Sequence, residues 1–231
     1  MYIAIEGLKG TGKSTLLEAL TPYLKAYCDS KQQQLAILHP TKPMSDHYLE
    51  DEFYEYQNND AYLRTLYAAR SNHHAARVDW NADLIISDRS IFTSLAVRWQ
   101  YAYQANINPS QHYEQVRCQE HVIAIPDIVI QLDASNTTLL ERYAKRDRQY
   151  GHYEETIESL VHMRNNYGKL FEWLSCDQAI CLIGKSIPLY KYNTEASSLQ
   201  SICQAILVMI EQNFANINGE FLLKNQYSLM H

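Results

Sequence analysis

Apolar positions along the chain follow two rhythms. Short, nearly unbroken runs fall at residues 2–5, 35–38, 84–88, 127–133 and 187–192 and read as strands. The run Asp127-Ile128-Val129-Ile130-Gln131-Leu132-Asp133 has the continuous hydrophobicity of a parallel strand covered on both faces. Between these runs the spacing turns helical, over residues 14–27, 61–79, 90–103, 110–122, 136–146, 153–174 and 196–212. In the second of these, Leu63, Leu66, Tyr67 and Ala69 form the apolar stripe. Pro40 and Pro43 stop any helix after the second strand, Gln32-Gln33-Gln34 marks a polar loop before it, and residues 147–151 are a polar break. Residues 45–59 are acidic and tyrosine-rich, and residues 179–183 form a further short apolar run to which the pattern assigns no element. Five strands alternating with helices predict an α/β fold, a mostly parallel five-stranded sheet with helices on both faces. Ligands of such sheets sit beyond the carboxyl ends of the strands.

Composition narrows the possibilities. A chain of 231 residues is long enough for one α/β domain and short for two; we expect a single domain over residues 1–213 and a C-terminal extension over residues 214–231. The formal net charge of -6 argues against holding duplex DNA or an anionic membrane by bulk positive charge, so no nucleic-acid or membrane partner is expected. Cys28, Cys118, Cys176, Cys181 and Cys203 are odd in number and scattered, which suits thiols in a reducing cytosol. A strand starting at residue 2 leaves no room for a signal peptide, and the apolar run 205–210 is far short of the ~20 residues of a membrane span. A cytoplasmic location is the expectation. His73-His74 suggests no metal site, because adjacent helical side chains diverge and no ligand stands at a matching spacing.

The strongest chemical signal is Gly7-Leu8-Lys9-Gly10-Thr11-Gly12-Lys13-Ser14-Thr15, which fits G-x-x-x-x-G-K-[ST] and lies between the first strand and the first helix. Glycines let successive N–H groups face one anion, and the following helix aims its positive end at the same place. Lys13 then reaches the β- and γ-phosphates of a triphosphate and Ser14 holds Mg²⁺. Asp88-Arg89 ends the third strand, where a carboxylate can hold Mg²⁺ or take a hydroxyl proton and a guanidinium can fork onto phosphate. The other reading, a salt bridge or helix cap, loses weight beside a phosphate loop. Arg142, Arg146 and Arg148 form a basic group over a segment, about 142–154, that reads as a lid able to stabilise a transferring phosphoryl group; a solvated charged face is the alternative.

With these residues in view, the chain resembles the thymidylate kinase family of P-loop nucleoside and nucleotide kinases, from residue 1 to about 212. Ile5-Glu6-Gly7 is typical of that group. Leu66-Tyr67-Ala68-Ala69-Arg70-Ser71-Asn72-His73 is similar to its F-A-A-D-R-A-Q-H helix, which implies that Arg70 contacts the acceptor, with Leu66 and Tyr67 at the stacking position. Asp88-Arg89-Ser90-Ile91-Phe92-Thr93-Ser94-Leu95-Ala96 is similar to D-R-Y-x-x-S-S-L-A, so Arg89 grips the acceptor phosphate. The run from Asp133 to Arg146 resembles the start of the family's lid, and Asn193-Thr194-Glu195 would border the adenine of ATP. The resemblance implies a three-layer P-loop kinase fold, a homodimer, and transfer of the γ-phosphoryl of ATP, with Mg²⁺, to a deoxynucleoside monophosphate of thymidylate type. The chain departs from the family at Lys9, where Asp or Glu usually approaches the acceptor sugar hydroxyl, and at Val97-Arg98, where a Y-Q pair is usual. A lysine cannot accept that hydrogen bond. The motif Asp88-Arg89-Ser90-Ile91-Phe92 and the spacing of Arg142, Arg146 and Arg148 also resemble deoxynucleoside kinases, in which Asp88 would serve as base for a nucleoside hydroxyl. A nucleotide-binding regulatory protein and a structural subunit with a vestigial loop complete the alternatives.

Overall fold

The computed structural model describes residues 1–42, 60–145 and 155–228. The chain runs β1 (Tyr2–Gly7), α1 (Lys13–Ser30), β2 (Leu35–Leu38), α2 (Asp60–Ala75), β3 (Leu84–Asp88), α3 (Ile91–Gln104), α4 (Pro109–Gln119), β4 (Ile128–Asp133), α5 (Asn136–Ala144), α6 (Ile157–Leu174), α7 (Asp177–Ile183), β5 (Leu189–Asn193) and α8 (Leu199–Ser228). The five strands form one sheet in the order β2-β3-β1-β4-β5. Every neighbouring pair is parallel. Strand β1 lies between β3 and β4, with Ile5 opposite both Asp88 and Ile130. The connection from β1 runs to β2 on one side of the sheet and that from β4 runs to β5 on the other, so a crevice opens between the carboxyl ends of these neighbouring strands.

The alternation of β1 side chains separates two apolar layers. Ile3 and Ile5 pack with Leu16, Leu20 and Leu24 of α1 and Ile206 and Ile210 of α8. Tyr2 and Ala4 face the opposite layer, with Phe92 and Leu95 of α3, Val116 of α4 and Leu170 of α6. Successive strand residues point to opposite faces, so one nearly unbroken apolar strand supplies both interfaces. The result is a three-layer α/β architecture.

Local signals start the helices. Ser90 accepts from Phe92 N–H at the head of α3, and Asn108 with Gln111 forms a capping box before Pro109 at the head of α4. Ser135 and Thr156 cap α5 and α6 in the same way. The short run 179–183 belongs to α7 and is helical, ending at Gly184, whose φ of 83° is the left-handed conformation glycine adopts freely. Helix α8 begins at Leu199 and continues to Ser228, beyond the residue-212 end expected from the pattern. Its start is delayed because Asn193 Oδ1 accepts from the Glu195 and Ala196 N–H groups, turning the chain before the helix begins. Among the described residues no helix is long and apolar enough to cross a membrane. The five cysteines are free thiols.

Candidate active site

The loop between β1 and α1 holds its shape through glycines that no other residue could replace. A Cβ on Gly7 would stand 2.2 Å from the Leu132 carbonyl oxygen of β4, and one on Gly10 would stand 2.7 Å from the Tyr143 ring. Both residues, and Gly12 at the head of α1, have positive φ. Thr11 Oγ1 donates to the Leu8 carbonyl at 2.9 Å and Lys13 Nζ donates to the same oxygen at 2.8 Å. Ser14 Oγ donates to Asp88 Oδ2 at 2.5 Å, joining the loop to the end of β3. A hydroxyl and a carboxylate converging beneath an anion-binding loop are the hard oxygen donors that Mg²⁺ takes.

Arg89 follows Asp88 with a φ of 82°, a left-handed conformation for a non-glycine residue. Such backbone costs of order 1–3 kcal/mol and persists where its surroundings fix it. Those surroundings centre on Glu6, which is fully buried. Its Oε1 accepts from Ser90 N–H at 2.8 Å and Ser90 Oγ at 2.6 Å; its Oε2 accepts from Thr93 Oγ1 at 2.7 Å and Tyr167 OH at 2.9 Å. Arg89 N–H donates to the Ile5 carbonyl at 2.9 Å, and Arg89 Nη1 donates to Thr93 Oγ1 at 3.2 Å. Burial, and next the Glu6 charge, push the Tyr167 hydroxyl up, so it stays a donor. One carboxylate thus fixes the first turn of α3 and the arginine before it.

On the β2 side, Leu66 of α2 is buried whereas Tyr67 is 38% exposed. Arg70 is buried, donates from Nη1 to the Thr41 carbonyl at 3.3 Å, and lies 5.7 Å from the Tyr67 ring centre. Arg98 is also buried: its Nη1 donates to Gln119 Oε1 at 2.7 Å and its Nη2 lies 3.7 Å from Glu120 Oε1. Burial pushes the Glu120 carboxyl above the usual range.

On the β4–β5 side, a cleft of about 240 Å³ is lined by Gly10, Thr11, Gly12, Thr15, Arg142 and Thr194. Arg142 donates to the Gly10 carbonyl and Thr194 Oγ1, both at 3.0 Å, and to the Thr194 carbonyl at 3.3 Å. Tyr143 OH donates to the Lys9 carbonyl at 2.6 Å. Asn193 and Glu195 flank Thr194 without lining the cleft themselves, and both hold the backbone around it. Asn193 Oδ1 takes the Glu195 and Ala196 N–H groups, and Glu195 Oε1 takes Ser135 N–H at 2.9 Å and Ser135 Oγ at 2.6 Å. The Ser135 hydroxyl bond holds the Glu195 carboxyl below its usual pKa. Lys9 Nζ forms an ion pair with Glu155 Oε1 at 2.8 Å. Arg164 of α6 grips both carboxylate oxygens of Asp133 and donates to the Ala134 carbonyl at 2.8 Å. Arg146 and Arg148 lie outside the described residues.

Sequence reasoning missed the contributions of Glu6, Thr93, Tyr143, Arg164 and Tyr167, whereas Thr194, expected beside the donor adenine, does line the cleft. Glu6 carried a local signal as a carboxylate inside an otherwise apolar run, and Thr93 lay within the motif that follows Asp88, but neither pattern revealed that they bond each other. Among the described residues no cluster of histidine, cysteine and carboxylate side chains is placed to hold a metal. His74 Nε2 instead pairs with the Lys42 carbonyl at 2.8 Å.

A glycine-shaped anion loop at the crevice of a parallel sheet, with Ser14 on Asp88 beneath it and Arg89 beside it, defines a P-loop nucleotide kinase. Sequence comparison narrows the class. The family model "Thymidylate kinase" matches residues 5–188. A "Probable thymidylate kinase 1" of Saccharolobus solfataricus is 31% identical over 173 residues, covering 73% of this chain and 82% of the relative. A "Thymidylate kinase" of Acinetobacter baylyi is 30% identical over 180 residues, covering 74% and 85%. Among solved structures, thymidylate kinase from Candida albicans superposes with a TM-score of 0.60 at 17% identity, over 92% of this chain and 91% of that one. Deoxyadenosine kinase from M. mycoides gives a TM-score of 0.59 at 19% identity, over 92% and 99%. The chain belongs to the thymidylate kinase family and is a nucleoside monophosphate kinase.

Proposed function

We propose that the chain transfers the γ-phosphoryl group of ATP to thymidylate, giving dTDP and ADP. The observation that carries this reading is the contact between Ser14 Oγ and Asp88 Oδ2 at 2.5 Å. It commits the β3 carboxylate to the loop side of the crevice, where it fits Mg²⁺ better than it fits a base for a nucleoside hydroxyl. A phosphate acceptor needs no strong base, because its attacking oxygen is already anionic.

The remaining roles follow from placement. The backbone of residues 7–12 and Lys13 hold the donor phosphates, and Thr15, Arg142 and Thr194 border the donor base and ribose. Arg142, read from the sequence as a lid group acting on the transferring phosphoryl, is better suited to the donor side, since its guanidinium is bonded to Gly10 and Thr194. Ser14 and Asp88 hold Mg²⁺, which supplies charge neutralisation at the phosphates when bound. Arg89 meets the acceptor phosphate, while Arg70 and Tyr67 meet the remainder of the acceptor. The lid arginines Arg146 and Arg148 stabilise the transferring group. A cytoplasmic homodimer fits the family and the free thiols.

Asp88→Asn tests the reading. A Mg²⁺ role predicts that dTMP phosphorylation falls at least tenfold and that the Mg²⁺ concentration for half-maximal rate rises. A rate loss with an unchanged Mg²⁺ requirement, accompanied in the wild type by phosphorylation of thymidine rather than dTMP, would favour the nucleoside kinase instead.

A further inference from the structure

Two consecutive residues of α5 grip the phosphate loop by its backbone. Arg142 donates to the Gly10 carbonyl at 3.0 Å, and Tyr143 OH donates to the Lys9 carbonyl at 2.6 Å. The peptide groups on either side of Gly10 are therefore each held by their C=O. In a planar trans peptide the N–H points away from the C=O, so a grip on one sets the aim of the other. The Gly10 N–H is turned away from Tyr143, and among the described residues no backbone carbonyl accepts from it.

This orientation needs holding. Turning a peptide group over changes only ψ of the residue before it and φ of the residue after it, and a glycine in the second position accepts either arrangement, as type I and type II turns illustrate. Lys9–Gly10 is such a peptide. Turned over, it would offer a carbonyl oxygen where an anion-binding loop must offer donors. The phenol that opposes this is itself fixed. Tyr143 is buried, and its ring lies so close to Gly10 that a Cβ there would stand 2.7 Å from it. Helix α5 is anchored at its head, where Ser135 N–H and Oγ bond Glu195 and where Arg164 of α6 bonds Asp133, the Ala134 carbonyl and Asn136 Oδ1. The glycine loop is the softer partner, so the phenol directs the carbonyl. A buried tyrosine hydroxyl needs some acceptor; this one is matched to the peptide that precedes the loop's central glycine.

Resting on the reading of the chain as an ATP-dependent kinase, we propose that Tyr143 is a positioning residue for the donor triphosphate, its hydroxyl holding the Lys9–Gly10 peptide so that the Gly10 N–H donates to the phosphates. Tyr143 acts through the loop and not on the nucleotide. Its effect falls on the donor, because the acceptor-phosphate arginine is fixed separately, through Thr93 and Glu6.

Tyr143→Phe tests this, since it removes the hydroxyl and keeps the ring against Gly10. The loss of one hydrogen bond that orients the loop should raise the KM for ATP about fivefold, while the KM for dTMP at saturating ATP stays within about twofold of wild type. A direct readout follows from the sequence: Lys9–Gly10 is the only Lys-Gly pair in the chain, so protein labelled with ¹³C at lysine carbonyls and ¹⁵N at glycine gives a single carbonyl-coupled amide resonance, that of the peptide in question. Saturating Mg²⁺ and the β,γ-imido analogue of ATP should move its proton downfield in wild type, as a donor to an anion does, and less than about half as far in Tyr143→Phe. An unchanged KM for ATP with the full downfield shift overturns the inference. Equal rises in both KM values with a lowered Tm also overturn it, by marking the hydroxyl as a general support of the fold. Failure of the wild type to phosphorylate dTMP overturns the kinase reading itself, and the Gly10 resonance then still decides the inference about Tyr143.

Discussion

Replacing Glu6 with Gln probes the buried network that fixes Arg89. The carboxylate accepts four hydrogen bonds, two on each oxygen, and is fully buried. Hydrogen bonds to a charged group contribute about 1.5–3 kcal/mol and neutral ones about 0.5–1.5 kcal/mol, so neutralising the acceptor weakens each by roughly 1 kcal/mol. Relief from burying a charge returns part of that sum, and the Thr93 and Tyr167 hydroxyls can turn to accept from the amide. We expect a net loss of about 2 kcal/mol, which for a protein of this size lowers Tm by roughly 4–8 °C. Because Thr93 also receives Arg89 Nη1 at 3.2 Å, the KM for dTMP should rise several-fold while the KM for ATP changes little. Thermal unfolding followed by circular dichroism, together with steady-state kinetics in each substrate, reads both effects. A Tm within 1 °C of wild type and an unchanged dTMP KM would refute the assignment of Glu6 as the support of Arg89. Tyr167→Phe removes one donor from the same network and should cost about 1 kcal/mol.

Gly10→Val should abolish the ATP-induced rise in Tm, because a side chain at φ 84° would collide with Tyr143; retention of the full shift in a thermal-shift assay would contradict this. Arg146→Ala should lower kcat far more than it weakens acceptor binding, and equal losses in kinetics and calorimetry would count against a lid role. His112 is buried beside Leu95 and close to Arg98, and burial chiefly pushes its pKa down. Its unfolded form takes up a proton near pH 6.5 while the folded form resists, so folding stability falls as pH drops below about 6.5. His112→Gln, which keeps a donor for the Leu95 carbonyl, should make Tm less sensitive between pH 7 and 5 than in wild type; parallel Tm curves would refute the linkage.

All five strands and the phosphate loop were legible because each is a local pattern. Strand β4 announces itself by an apolar run, and the loop by glycines whose necessity the Leu132 carbonyl and the Tyr143 ring make concrete. Residues 179–183 were ambiguous for a physical reason: a short apolar run suits a strand or a single buried helical turn equally, and only packing against the layer containing Ala179 decides. The end of α8 was read too early, since Asn216, Asn218 and Gly219 carry weak helix propensity. In the site, the motif residues Ser14, Asp88 and Arg89 could be named in advance, whereas their supports could not. Tyr167 reaches Glu6 across 161 residues and Arg142 reaches Gly10 across 132, and no local pattern encodes such contacts. Lys9 stood out in the sequence as a departure from the family, but its partner Glu155 emerged only with the fold.

The most direct measurement is ³¹P NMR of the products formed from Mg²⁺-ATP with either dTMP or thymidine. A thymidylate kinase gives the paired α- and β-phosphate resonances of dTDP together with ADP from dTMP, and no nucleotide product from thymidine. Appearance of dTMP from thymidine, or of inorganic phosphate and ADP alone, would contradict phosphoryl transfer to a monophosphate acceptor.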